Sequence, residues 1–120
     1  MHGIDLHTHS NISDGTLSPQ ALVESAVACG IHTLALTDHD TMDGLETARK
    51  IAQDHDIHII SGVEISSQWS RPNTKKAYGV HIVALNMQNP KPLQDALVIQ
   101  KNIRATRAKQ ICQLLEGCIG

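Results

Sequence analysis

Short apolar runs alternate with helix-like segments along this chain, and this alternation restricts the fold more than any other feature of the sequence. Apolar runs bounded by turn residues predict strands at 3–6, 31–37, 57–60 and 77–86. Helical spacing of apolar residues predicts helices at 18–30, caps included, 44–53 and 92–116. Strands that alternate with helices pair in parallel through right-handed crossovers. The predicted fold class is therefore α/β, and residues 1–120 contain no repeat or linker that would divide them into two domains.

Local signals define the ends of the predicted elements. Ser18 is placed to cap the first helix, Pro19 occupies its first position, and Gly30 ends it. The polar stretch 67–76, "SQWSRPNTKK", is interpreted as a loop with a turn at Pro72–Asn73.

The composition excludes several classes of protein. The chain has 120 residues and a formal net charge of −2, which gives no bulk attraction to nucleic acid. No apolar run approaches the roughly 20 residues of a membrane span, and "MHGIDLHTH" does not have the pattern of a signal peptide. The three cysteines form no disulfide framework or Cys-x-x-Cys pair. We therefore expect a cytoplasmic protein that binds neither a membrane nor duplex DNA.

Histidines and carboxylates follow every predicted strand. In parallel α/β folds the carboxyl ends of the strands meet at one rim, where ligands bind. The residues predicted at this rim are His7, His9, Asp14, Asp38, His39, Asp40, Glu64 and His81.

Each of these residues also has a purely structural interpretation. A His-x-His pair on a strand is commonly exposed, "DHD" before a helix can cap it, and His81 can bond to backbone in the core. Their convergence favours a metal site, because crowded ionisable groups are costly without a cation between them. Imidazole and carboxylate ligands without cysteine suit Mn, Fe or Zn, and the number of ligands suggests two or three ions. Clustered divalent ions commonly serve phosphoester hydrolysis.

Four motifs of this chain resemble, in order and spacing, those of the PHP (polymerase and histidinol phosphatase) superfamily of metal-dependent phosphoesterases. The motifs are "DLHTHSNISDG", "LALTDHDTMDGL", "GVEIS" and "VHIVALN". The resemblance is closest to a bacterial branch of 3′,5′-nucleoside bisphosphate phosphatases and 5′-to-3′ exoribonucleases. Members of that branch also carry a long helix similar to "IQKNIRATRAKQICQLLEG" after the fourth motif.

The resemblance implies a distorted (β/α)7 barrel with a trinuclear centre, often of manganese. His7 and His9 would bind the first ion, Glu64 would bridge the first and second, and His81 would bind the second. Asp14 and His39 would bind the third ion. A metal-bridging hydroxide would attack the phosphorus of a 3′,5′-nucleoside bisphosphate or of the 5′ end of a short RNA.

The chain also departs from the family pattern. The later strands of the family supply a histidine and an Asp-x-His pair, whereas this sequence has no histidine after His81. We therefore expect residues 1–120 to be the N-terminal portion of one PHP domain. Two alternatives remain open: a phosphatase of another phosphomonoester, such as histidinol phosphate, and a non-catalytic metal-binding half-barrel that needs a partner.

Some polar and aromatic residues receive secondary interpretations. Asp38 and Asp40 either orient a metal ligand or cap a helix. The basic stripe of the last helix either faces solvent or places Arg104 or Arg107 on a substrate phosphate. Trp69 and Tyr78 are predicted to cap the core, with stacking on a nucleobase as the alternative. No metal-binding role is expected for the remaining histidines, His2, His32, His55 and His58.

Overall fold

The computed structural model describes residues 3–119, so His2 lies outside the described residues. The secondary structure follows the predicted order. The elements are β1 (Gly3–Thr8), α1 (Pro19–Ala28), β2 (Ile31–Leu36), α2 (Leu45–Ala52), β3 (His58–Ser70), β4 (Ala77–Leu85) and α3 (Lys91–Ile119). The chain divides between Gln88 and Asn89 into two compact units, the second of which contains α3.

The first unit is built on a four-stranded sheet in the order β1-β2-β3-β4. β2 pairs in parallel with both β1 and β3, as predicted. β4 pairs antiparallel with β3, so the expectation of uniformly parallel strands is wrong for the last strand. The physical reason is the connection at 71–76, since a parallel crossover needs about a dozen residues or more.

β3 is much longer than its apolar run suggests. It continues to Ser70, so the predicted loop is wrong for residues 67–70. Residues 67–70 pair with β4 in a hairpin that does not pack against the core. Their side chains are mostly polar, so they lack the apolar alternation that predicts a strand. The turn itself is confirmed: Asn73 has a φ of 65°, and the Thr74 N–H donates to the carbonyl of Arg71 at 3.2 Å. Proline followed by a residue with positive φ is typical of a type II turn.

α1 and α2 pack with the sheet around an aliphatic core. The Ser18 hydroxyl accepts a hydrogen bond from the Ala21 N–H at 3.1 Å, which confirms the predicted cap of α1. The buried core cluster contains Val23, Ala26, Leu34, Leu36, Leu45, Ala48, Ala52, Ile57 and Ile59. This core positions the ends of β1, β2 and β3, from which the polar side chains described below project.

Two other observations concern the fold. Trp69 and Tyr78 are 53% and 48% exposed, so the prediction that they cap the core is wrong. Among residues 3–119, no helix is long and apolar enough to cross a bilayer.

Candidate metal centre

Glu64 lies at the middle of the polar cluster. It is buried on β3, at 7% exposure. Backbone hydrogen bonds hold it on both sides: its N–H donates to the carbonyl of Asp38, and its carbonyl accepts from the N–H of Asp40, each at 3.0 Å. These bonds form a parallel bridge between His39 and Glu64 beyond the regular strands. The backbone that carries the carboxylate is therefore fixed where the segment after β2 meets the middle of β3.

Two histidines from the first motif contact the Glu64 carboxylate. His7 Nε2 donates to Glu64 Oε2 at 3.0 Å, and His9 Nε2 lies 2.8 Å from the same oxygen. The two imidazole centroids are 5.2 Å apart. The predicted convergence of the His-x-His pair is therefore present, with a shared carboxylate as its meeting point.

Two further histidines approach Glu64 from other directions. His39 Nε2 lies 3.5 Å from Oε2, and His81 Nδ1 lies 3.5 Å from Oε1. His81 reaches this position because β4 runs beside β3 and the register pairs His81 with Ser66. An antiparallel strand thus contributes a histidine to the rim, whereas the alternation of strands and helices predicts parallel strands.

The environment of Glu64 favours its ionised form. The hydrogen bond from His7 is the largest influence and lowers the pKa of the Glu64 carboxyl. Burial acts in the opposite direction, whereas the positive charges available on His39, His7 and His9 lower it further. The net result is a pKa below the ordinary glutamate value, so the cluster is built around a buried anion.

Asp14 comes from the loop that follows β1. Its Oδ1 lies 3.2 Å from His9 Nδ1, and its Oδ2 lies 3.3 Å from His39 Nε2. The loop closes tightly, because the Gly15 N–H donates to the carbonyl of Ser10 at 2.9 Å. Asp14 therefore contacts both His9, which follows β1, and His39, which follows β2.

Asp38 anchors this loop. The carboxylate is 1% exposed and accepts three hydrogen bonds, from Ser10 N–H at 2.6 Å, Ser10 Oγ at 2.7 Å and Ser13 Oγ at 2.8 Å. Asp40 contacts a different segment: it adopts a φ of 54°, and its Oδ1 accepts from the Ser66 N–H at 2.8 Å. Both aspartates thus hold the backbone of elements that carry candidate ligands.

Ser10 and Ser13 also belong to the site and were not among the residues predicted from the sequence. Ser10 is fully buried, and both hydroxyls bind Asp38 across a separation of 25 or more residues. The only signal available was the presence of hydroxyl residues between His9 and Asp14, which is common in loops.

The six predicted ligand residues come together in three overlapping groups. Within each group one donor atom per residue lies within 4.8 Å of the others. The groups are His7–His9–Glu64, His9–Asp14–His39 and His39–Glu64–His81. A set of nitrogen and carboxylate donors without cysteine fits divalent ions such as Mn, Fe and Zn.

Arg104 and Arg107 lie on α3 in the second compact unit, and their contact with substrate stays a prediction.

A family model described as PHP domain matches residues 5–111 of the chain. The chain belongs to the PHP domain family. This confirms the resemblance carried by the four motifs. The candidate ligands all fall within the matched part of the PHP domain.

Individual PHP relatives match nearly the whole chain. A 5′-3′ exoribonuclease from Haemophilus influenzae is 45% identical over 113 residues, which are 93% of this chain and 39% of the relative. A 3′,5′-nucleoside bisphosphate phosphatase from Chromobacterium violaceum is 39% identical over 118 residues, which are 98% of this chain and 39% of the relative. The chain therefore spans about two fifths of the length of these curated relatives.

A solved structure from Chromobacterium violaceum has the same fold. It is described as an amidohydrolase with bound sulfate and no metal, and is 38% identical to this chain with a TM-score of 0.78. The match covers 97% of this chain and 39% of that one. The predicted α/β fold, corresponding to part of a PHP barrel, is therefore confirmed.

Proposed function

We propose that this protein is a metal-dependent phosphoesterase that acts on 3′,5′-nucleoside bisphosphates or on the 5′ ends of short RNA. The observation that carries the proposal is the convergence of four histidines on one buried carboxylate, Glu64, with Asp14 joining two of them. The names of the exoribonuclease and phosphatase relatives support the choice of substrate.

The three groups of donors are compatible with the sharing of ligands that the resemblance to the PHP superfamily implies. His7, His9 and Glu64 would hold one divalent ion, and Glu64 with His81 would hold a second. Asp14 and His39 would hold a third. Divalent ions supply Lewis acidity, which neutralises charge on phosphoryl oxygens and makes water a nucleophile near neutral pH. Mn is the ion we propose, because the resemblance to the PHP superfamily implies it and the mixed imidazole and carboxylate donors, which also fit Fe and Zn, can bind it.

The protein's own contribution is to orient these donors before substrate arrives. The bridge between His39 and Glu64 holds two ligands through backbone hydrogen bonds. Asp38 holds the loop of Asp14. His7 Nε2 lies 3.0 Å from Glu64 Oε2, and an imidazole nitrogen must be unprotonated to bind a metal ion.

Three further parts of the proposal concern the extent of the domain, the cellular compartment and the residues that contact substrate. We propose that residues 1–120 form the N-terminal portion of one PHP domain and that the protein works in the cytoplasm on a nucleotide or short RNA. Arg104 or Arg107 would contact a substrate phosphate, for which a guanidinium fork is well suited.

The test measures metal and turnover in the same samples. Purified protein that contains the complete proposed PHP domain is loaded with Mn²⁺, and its metal content is determined by elemental mass spectrometry. Phosphate release from 3′-phosphoadenosine 5′-phosphate is then compared with release from histidinol phosphate. We expect two or three ions per chain and preference for the bisphosphate.

Variants connect the activity to the cluster. His9→Ala removes a residue that contacts both Glu64 and Asp14, and we expect it to lose bound metal and phosphate release. His55→Ala is the matched control, since His55 is exposed and outside the three donor groups. Unchanged turnover in His9→Ala would contradict the proposal. Metal without turnover on either substrate would favour the non-catalytic half-barrel.

A further inference from the structure

The β3–β4 hairpin presents an aromatic pair to solvent. Trp69 and Tyr78 lie directly opposite each other in the antiparallel register. Their ring centroids are 6.2 Å apart with an interplanar angle of 34°. They are the only Trp, Tyr or Phe residues of the chain, and each is about half exposed. Aromatic side chains contribute most to stability when buried, so this pair is poorly explained by folding alone.

The tip of the same hairpin is positively charged. Arg71, Lys75 and Lys76 are exposed there, and Lys76 Nζ lies 5.3 Å from the centroid of the Tyr78 ring. The sequence contains no Asp or Glu between Glu64 and Asp95. A chain with a net charge of −2 therefore carries a local cluster of positive charge beside its only aromatic rings.

The turn gives this tip a defined conformation. The Arg71 carbonyl accepts hydrogen bonds from both the N–H and the hydroxyl of Thr74, at 3.2 and 2.9 Å. Pro72 and the positive φ of Asn73 fix the backbone between them. The cations thus project from an ordered turn, and less ordering is required when a ligand binds.

We infer that this hairpin is a binding site for single-stranded RNA, with a base stacked on Trp69 and Tyr78 and phosphates on Arg71, Lys75 and Lys76. Exposed aromatic rings beside cations are the combination that binds single strands, because every base has a stacking face and every linkage a negative charge. Duplex bases are already stacked on one another. The choice of RNA as the nucleic acid rests on the proposed function. The proposed base stacking and phosphate contacts rest on the aromatic pair and the cations of the hairpin itself.

The site is separate from the metal centre. Side chains of paired strands alternate between the two faces, and the Ser66–His81 pair lies three positions from the Trp69–Tyr78 pair. The aromatic pair is therefore on the opposite face from His81, about 10 Å further along the strand. We expect the hairpin to hold nucleotides beyond the one that meets the metal centre, so that it contributes to the binding of oligonucleotides and not of mononucleotides.

Trp69 provides a direct test, since it is the only tryptophan. The whole chain is titrated with decauridylate in EDTA, which prevents metal-dependent hydrolysis, and its fluorescence is recorded. We expect saturable quenching that inorganic polyphosphate of similar length does not reproduce. Three phosphate contacts predict that log K falls with log salt with a slope of about −2. Quenching by polyphosphate equal to that by decauridylate would overturn the inference.

Variants separate stacking from charge, with binding followed by anisotropy of labelled decauridylate. Tyr78→Leu and Trp69→Leu should each weaken binding about tenfold, whereas Trp69→Phe should retain most of it. Gln68→Ala, on the other face of the same strand, is the matched control. Lys75→Gln, an exposed change that does not threaten folding, should reduce the salt slope by about 0.7.

The results of these binding experiments can be distinguished from those of the metal and turnover experiments that test the proposed function. Wild-type affinity in Tyr78→Leu together with an unchanged slope in Lys75→Gln would overturn the inference, whatever the activity of the protein. Equal affinity for decauridylate and for an RNA duplex of the same length would also overturn it. Stacking in EDTA without phosphate release by the complete PHP domain in Mn²⁺ would retain the hairpin site and reject the phosphoesterase.

Discussion

His39 and Glu64 face each other across a parallel β-bridge, and their side chains meet at 3.5 Å between Nε2 and Oε2. The bridge joins the segment after β2 to the middle of β3 by two backbone hydrogen bonds of 3.0 Å. Two candidate ligands that are 25 positions apart in sequence are thus held by main-chain geometry. The arrangement of the centre therefore depends on the sheet as well as on the side chains.

Replacing Glu64 should have the largest effect on metal binding. Glu64→Ala removes the one carboxylate that contacts His7, His9, His39 and His81. We expect the variant to lose at least one bound ion per chain, measured by elemental mass spectrometry after loading with Mn²⁺. Glu46→Gln, an exposed change in the first turn of α2, should retain the wild-type metal content. Full occupancy in Glu64→Ala would show that the carboxylate is not a ligand.

The metal-free protein should show a pH dependence that belongs to Glu64. Its pKa is lowered in the folded state, chiefly by the hydrogen bond from His7. A lowered pKa stabilises the fold above the unfolded value of about 4.3 and loses that contribution as the pH falls through the lower folded value. The difference in Tm between wild type and Glu64→Gln should therefore shrink as the pH falls below about 4.3. Thermal unfolding in EDTA from pH 7 to pH 3 measures it, and a difference that grows toward pH 3 would contradict the assignment.

Asp38 should affect both stability and one part of the centre. Asp38→Ala leaves the buried Ser10 N–H and hydroxyl without their acceptor. We expect a loss of roughly 3 kcal/mol in the free energy of unfolding, because unsatisfied buried donors are costly. The same variant should bind metal less tightly, since the loop that carries Asp14 is released. Urea unfolding and Mn²⁺ titration test the two effects, with exposed Asp54→Ala as control. A stable variant with unchanged titration would refute the anchoring role.

Gly15 is required for the close approach of the Asp14 loop to β1. A Cβ at this position would lie 2.3 Å from the carbonyl oxygen of His9 and 2.7 Å from its carbon. Gly15→Ala must therefore displace the backbone between two candidate ligands, and we expect a lower Tm and weaker Mn²⁺ binding. Gly79→Ala is the matched control, because a Cβ there meets nothing within 4 Å. Equal behaviour of the two variants would show that the loop tolerates the displacement.

The sequence contained enough information for the order of the elements and for the convergence of the candidate ligands. His7, His9, Glu64 and His39 follow apolar strand runs, so the rule that carboxyl ends of parallel strands share a rim was sufficient to bring them together. His81 was placed correctly for the wrong reason, because its strand is antiparallel. The antiparallel pairing was missed because residues 67–70 of β3 were predicted to be loop. Hydrophobic periodicity detects only strand faces that pack against a core.

The network around Asp38 could not be predicted in the same way. Its partners Ser10 and Ser13 are hydroxyl residues of a loop, and nothing local distinguishes a buried hydroxyl from an exposed one. Similarly, the contact of Trp69 with Tyr78 depends on the register of the hairpin, which pattern reasoning did not contain.

The uninterrupted register of β3 and β4 restricts how this hairpin can change during evolution. An unbroken ladder from Gly62–Leu85 to Ser70–Ala77 holds His81 on one face and the aromatic pair on the other. A single inserted residue in β4 between Tyr78 and His81 would reverse the faces of everything beyond it, and would have to be absorbed by a bulge. Insertions of two residues, matched in both strands, lengthen the hairpin without exchanging its faces. Natural variation in hairpin length should therefore occur in matched pairs of residues or be confined to the turn.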